Sequence, residues 1–223
     1  PDAQLRAEEE VNEWMDQMHA ERRRVVCINI GTIYYYQPQD YAHMVQALHM
    51  IHEQNPNVAF LWKIAQRPKH VQNIPSEEEA ALPPYVRRLS WIPSMTAVME
   101  HPALAVMMHH GGGNSLNECL AYGIPQFCIS QWVDTHDIGL CIRHSGVGLW
   151  SEYSPDFVPE VICSQLLQLV EDKDHTFRHT ALSWKLKTQQ AGGTKFAADL
   201  IQSYVTDYTY AGGSSKAPMP HAM

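Results

Sequence analysis

The residues best suited to chemistry lie in one run, from His109-His110-Gly111-Gly112-Gly113 through Asn114-Ser115-Leu116-Asn117-Glu118. Three consecutive glycines let a backbone turn sharply and approach a ligand closely. Asn114 and Ser115 then open a helix, whose first N–H groups have no partner inside the helix. Bare N–H groups, a helix dipole and a pliant backbone together suit an anion such as a phosphate. No Asp or Glu stands between His101 and Asn117 to repel it, and His110, ending the preceding apolar run, can donate to a phosphate oxygen. A plainer reading stays open from the residues alone. It is a glycine-rich turn with an N-cap, in which Ser115-Leu116-Asn117-Glu118 forms the capping box S-x-x-E. The run is neither a Walker loop nor the dinucleotide pattern G-x-G-x-x-G. Neighbours on a strand point to opposite faces, so His109 and His110 cannot easily share an ion, and no metal site is expected.

The elements that must hold this run alternate along the chain. Val25–Ile30 is an apolar block ending at Gly31-Thr32, a buried strand running into a turn. Residues 40–54 are helical in pattern, 58–64 a strand, 68–84 a proline-rich connection, 86–91 a strand and 94–100 a short helix. Residues 103–108 form a strand leading to the glycine run, followed by a helix that Gly123 stops. Strand, helix and strand follow at 124–130, 134–144 and 147–150, and residues 155–208 are helical with breaks near 171–175 and at Gly192-Gly193. Short apolar strands alternating with helices imply an α/β fold, a Rossmann-like parallel sheet with helices on both faces. In such a sheet ligands sit beyond the carboxyl ends of the strands. The segments to inspect are therefore Gly31-Thr32, 91–94, 110–115 and 131–137. Trp132 and Trp150 read as core residues.

Residues 1–24 read as a linker or packing helix, with Leu5, Val11, Trp14, Met15 and Met18 at helical spacing; 25–208 form the binding domain; 209–223 read as a disordered tail. The chain has 223 residues, 45% hydrophobic and 18% charged, with a net charge of −8. That is enough to bury a core and argues against a nucleic-acid partner. No apolar run reaches the roughly 18 residues of a membrane span. Five widely spaced cysteines without a CxxC pair suggest neither a zinc ribbon nor a disulfide framework and fit a reducing, cytoplasmic location.

From Trp91 to Thr135 the chain resembles the donor-binding signature of the UDP-glycosyltransferases. The matching residues read W-I-P-S at 91–94, H-P-A-L-A-V-M-M-H-H-G-G-G-N-S-L-N-E at 101–118, A-Y-G-I-P at 121–125 and W-V-D-T at 132–135. Val25–Thr32 resembles the family's opening strand and phosphate turn. The resemblance, over residues 25 to about 205, implies one half of a GT-B fold. It implies that Trp91 stacks on uracil, that the Ile92 backbone and Ser94 lie by the nucleoside, and that Glu118 accepts from the ribose hydroxyls. It implies that Thr32, His110, Gly112, Gly113, Asn114 and Ser115 hold the diphosphate, and that Asp134 and Thr135 reach the sugar. Ser94 stands where plant members carry glutamine, Gly113 where they carry tryptophan, and Thr135 where glutamine usually follows the acid.

The implied activity is an inverting transfer of a hexose, glucose first, from UDP-sugar to a hydroxyl of a lipophilic or phenolic acceptor. The UDP-sugar is a co-substrate and no cofactor is implied. The resemblance puts the catalytic base and acceptor pocket on an N-terminal acceptor domain. The chain alone is then expected to bind UDP-sugar without transferring it. The alternative is a natural single-domain nucleotide-sugar-binding subunit that works only with a partner chain.

Overall fold

The computed structural model describes residues 2–76 and 80–210. The expected tail at 209–223 lies outside them from residue 211 on. Helix α1 (Asp2–Ala20) leads into β1 (Arg24–Asn29), then α2 (Pro38–Gln54), β2 (Val58–Lys63) and β3 (Val86–Leu89). There follow α3 (Met95–Glu100), β4 (Leu104–His109), α4 (Gly113–Tyr122), β5 (Gln126–Cys128), α5 (Val133–Ser145) and β6 (Gly148–Trp150). Three helices close the chain: α6 (Pro159–Glu171), α7 (Thr176–Gln190) and α8 (Gly193–Tyr210).

The six strands form one sheet in the order β3-β2-β1-β4-β5-β6, every pair parallel. The strands read as continuous apolar runs because both faces are covered. On one face Met44, Leu48 and Ile51 of α2 and Ile162, Leu166 and Val170 of α6 pack on Val26, Ile28, Phe60, Trp62 and Met108. On the other, Val11, Trp14, Met15 and Met18 of α1 pack with α3 and Cys119 of α4 on Val25, Cys27, Leu61 and Met107. The stripe that periodicity finds in α1 is thus buried against the sheet, all but Leu5, which is exposed. Each fully buried large side chain, such as Trp62, Phe60 or Phe127, contributes about 1.5–3 kcal/mol. A third cluster joins Ile142 of α5 and Trp184 of α7 beside Cys128 and Val147. No described helix is long and apolar enough to cross a membrane.

Strand order reverses between β1 and β4, which leaves a crevice at their carboxyl ends. The register decides what lines it. Asn29, the last residue of β1, pairs with Lys63 on one side and His109 on the other. The strand expected at 124–130 is shorter, Gln126–Cys128. Pro125 has no N–H to donate to the ladder, although its carbonyl accepts from Met107 N.

Candidate functional site

A cavity of about 580 Å³ opens at that crevice, within the size range of small-molecule sites. Thr32, Trp91, Ile92, His110, Gly112, Gly113, Asn114, Ser115 and Glu118 all border it. The structure therefore brings together nine of the twelve residues singled out from the sequence, from three separate stretches of chain.

Helix α4 begins at Gly113, with Gly112 as its N-cap in an extended conformation (φ −70°, ψ 139°). The first main-chain bond inside it is Leu116 N to Gly112 O, so the N–H groups of Gly113, Asn114 and Ser115 precede the ladder at the cavity wall. This corrects the capping-box reading. Ser115 is the third residue of the helix rather than its cap, and Glu118 sits in the second turn, exposed on the cavity side. Gly112 takes the N-cap position, so the helix starts three residues sooner than a cap at Ser115 would give.

Two glycines hem the His110 ring. A Cβ on Gly31 would lie 2.8 Å from His110 Cε1, and one on Gly112 would lie 2.7 Å from Nε2. Neither fits, and Gly31 also has φ +86°, which disfavours other residues. The indole of Trp132 stands 5.3 Å from the imidazole, centroid to centroid. Burial, then the charge of Lys63, lower the His110 pKa, against weaker opposing effects of Asp134 and the Asn29 backbone. The ring is therefore neutral at pH 7, and its Nδ1 is buried with no protein partner. The residue borders the cavity, and a buried ring nitrogen without a protein partner is one that a ligand oxygen can satisfy.

His109 faces the other way, as strand alternation requires, and is fully buried. Its Nδ1 accepts from Gly111 N at 3.0 Å, so Nε2 carries the proton and donates to Gln126 Oε1 at 2.9 Å. Burial pushes its pKa down to about 4. This neutral imidazole ties the start of the glycine run to the sheet.

Three expected residues lie outside the cavity lining. Ser94 is the N-cap of α3, its Oγ accepting from Ala97 N at 3.2 Å. Thr135 is 1% exposed, and its Oγ1 accepts from Gln131 N and Trp132 N and donates to Trp132 O. A β-branched hydroxyl on the first turn of α5 satisfies unpaired N–H groups, where a longer amide would extend outwards. The side chains of Ser94 and Thr135 are thus committed to helix starts in this structure. Asp134 is exposed in the first turn of α5 and close enough to influence His110 electrostatically.

The expectation that Trp132 is a core residue is overturned, because it lines the cavity. Trp91 is 61% exposed and forms the cavity's lip, which dismisses a core role for it too. Sequence reasoning missed Lys63, Asn29, Ile33 and Met95 of the lining. Lys63 did carry a signal: it is the charge that ends the apolar run VAFLWK, at the end of a strand where ligands bind.

A family model described as Erythromycin biosynthesis protein CIII-like, C-terminal domain, matches residues 69–196. Over 120 residues the chain is 36% identical to erythritol-mannosyl-transferase 1 of Mycosarcoma maydis, covering 53% of this chain and 20% of that protein. It is 30% identical over 193 residues to UDP-glycosyltransferase 84A1 of Arabidopsis thaliana, covering 80% of this chain and 37% of the relative. The chain thus spans well under half the length of these curated relatives. Among solved structures, Os79 from O. sativa superposes with a TM-score of 0.69 at 19% identity, over 88% of this chain and 43% of that one. The fold is that of one half of a GT-B glycosyltransferase.

Proposed function

The chain belongs to the Erythromycin biosynthesis protein CIII-like, C-terminal domain family, and from that membership we propose that it is the donor-binding domain of an inverting UDP-sugar glycosyltransferase. The observation that carries the reading is the cavity itself. It joins an exposed indole (Trp91), a helix N-terminus behind a glycine turn (Gly112–Ser115), a neutral imidazole with a free nitrogen (His110) and one carboxylate (Glu118). These are the kinds of partner that a base, a diphosphate and a ribose diol require. Trp91 offers its face to the uracil and Glu118 accepts from the ribose hydroxyls. The α4 N–H groups, Thr32 and His110 hold the diphosphate.

In the proposed reaction a base outside this domain takes the acceptor hydroxyl's proton. The acceptor oxygen attacks the anomeric carbon as the bond to the β-phosphate oxygen breaks, and UDP departs. Negative charge grows on that phosphate, so N–H donors fixed at α4 and His110 contribute to rate as well as to binding. Asp134, exposed at the start of α5, is placed to bind hydroxyls of the sugar. Acceptor and base belong to a second domain, in line with a family model of a C-terminal domain, and the 223-residue chain alone is inactive in transfer.

The proposed sugar is a hexose, glucose first. A second reading makes it mannose passed to a small polyol, and the 36% identity with an erythritol-mannosyl-transferase favours it. Calorimetric titration of the chain with UDP, UDP-glucose, UDP-mannose and GDP-mannose tests both. Ligand at a hundredfold excess over Kd should also raise stability by about 2.7 kcal/mol. No heat and no shift in melting with millimolar UDP would sink the donor-binding reading.

A further inference from the structure

Lys63 lines the cavity and has no part in the reading above. It is the last residue of β2, 4% exposed, and paired in register with Asn29. Its Nζ donates to Gly31 O at 2.9 Å and to Asn29 Oδ1 at 3.3 Å, and it lies 5.1 Å from the centre of the Trp91 ring. The same Asn29 Oδ1 accepts from Gly31 N at 3.1 Å. The ammonium is thereby tied to both ends of the turn that follows β1. Among the described lining residues it is the only lysine or arginine, and no described carboxylate is among its partners. Burying a cation without a counter-charge is costly, and such groups persist where an anion completes the site. The groups that act on its charge are Arg67, of like sign, and the buried Cys27 thiol. The lining around it offers an imidazole, an indole, glycines and a helix N-terminus, and its one carboxylate among the described residues, Glu118, is not a hydrogen-bond partner of Lys63.

We propose that Lys63 is the diphosphate's charge partner, a binding residue that selects donors by phosphate charge and sits between the Trp91 platform and the α4 N-terminus. This rests on the reading of the cavity as a nucleoside-diphosphate site. The helix N–H groups and His110 give direction to the phosphate oxygens, but as neutral dipoles they discriminate weakly between one phosphate and two. A full positive charge held in a partly buried position discriminates more strongly. Its anchoring to Gly31 O keeps it at the turn rather than in solvent, so little side-chain freedom is lost when the anion arrives.

The test is a titration series with uridine, UMP and UDP on the unsubstituted chain, Lys63→Met and Lys63→Arg. Methionine keeps the length and apolar body while removing the charge; arginine keeps the charge. Melting temperatures establish that each variant is folded. The expected result is that Lys63→Met weakens UDP by about 10–100-fold, the range of a lost hydrogen bond to a charged group. UMP should weaken less, uridine should be unchanged, and Lys63→Arg should retain most UDP affinity. An equal loss for uridine and UDP overturns the proposal, because Lys63 would then only prop Trp91. UDP binding that Lys63→Met leaves intact overturns it alone, with the donor-site reading standing. Failure of the unsubstituted chain to bind UDP overturns both.

Discussion

Gly112→Ala isolates the close packing around His110, because it adds one methyl group and no backbone strain. Position 112 has φ −70° and ψ 139°, a region open to alanine. The new Cβ would stand 2.7 Å from His110 Nε2 and 2.9 Å from Cε1. Ordinary contact begins near 3.5 Å, so the ring must retreat by about 1 Å. Gly31 hems the same ring, since its own Cβ position lies 2.8 Å from Cε1, and Trp132 stands 5.3 Å from it. A displaced imidazole no longer meets a phosphate oxygen at hydrogen-bond distance. The loss of a bond to a charged group is about 1.5–3 kcal/mol, or roughly 10–100-fold in UDP affinity. Stability should fall by about 1 kcal/mol, as alanine is a poorer N-cap than glycine.

The assay is a double-mutant cycle by calorimetry with UDP, using Gly112→Ala, His110→Ala and the pair. If the methyl acts through the ring, Gly112→Ala costs almost nothing once His110 is alanine, because the two changes remove the same interaction. Additive losses would refute the argument, since the methyl would then be disturbing the α4 N-terminus directly rather than the imidazole.

Glu118→Gln should leave stability within about 0.5 kcal/mol, as the residue is exposed and outside the cap. It should erase most of the preference for UDP over 2′-deoxy-UDP, read by competition titration. Thr135→Val should lower stability by about 1–2 kcal/mol in urea unfolding, because Gln131 N and Trp132 N lose their acceptor. For His109 the folded pKa, about 4, lies below the unfolded value, so the neutral form favours folding above the unfolded pKa. That contribution, about 3 kcal/mol, is lost as pH falls from about 6.5 to 4. Urea unfolding at pH 7 and pH 4.5 should show a smaller difference in His109→Asn than in the unsubstituted chain.

Most of the sheet was legible in the sequence because its strands are buried on both faces. Blocks such as VVCIN and LAVMM can be little else between helical segments. The glycine run was legible for a different reason: three glycines before a helix have a steric meaning independent of context. What spacing did not show was the structural use of a polar side chain at a helix start. Ser94 and Thr135 face the same demand, unpaired N–H groups within reach, and both satisfy it. A hydroxyl there has a local use that spacing alone does not distinguish from a ligand contact. The start of α4 misled in the opposite sense, since Ser115 looked like a cap while Gly112 holds the N-cap position with no side-chain bond.

Lys63 and Trp132 escaped for a reason that belongs to parallel sheets. The pairing of Asn29 with Lys63 and with His109 is a matter of register between strands whose first residues are 34 apart in one case and 80 in the other. Nothing local sets that register. It follows from burying the β2 and β4 side chains on the correct faces, where a slip of one residue would move Trp62 and Met108 from the α2–α6 face to the α1–α3 face of the sheet. The same slip would move Lys63 off the cavity wall. Core packing therefore fixes where the backbone of Lys63, the one lysine among the described lining residues, meets the cavity. Trp132 is placed in the same way, by the Thr135 hydroxyl that holds its backbone at the start of α5. The hydroxyls that satisfy helix starts beside this cavity are part of what positions the side chains that line it.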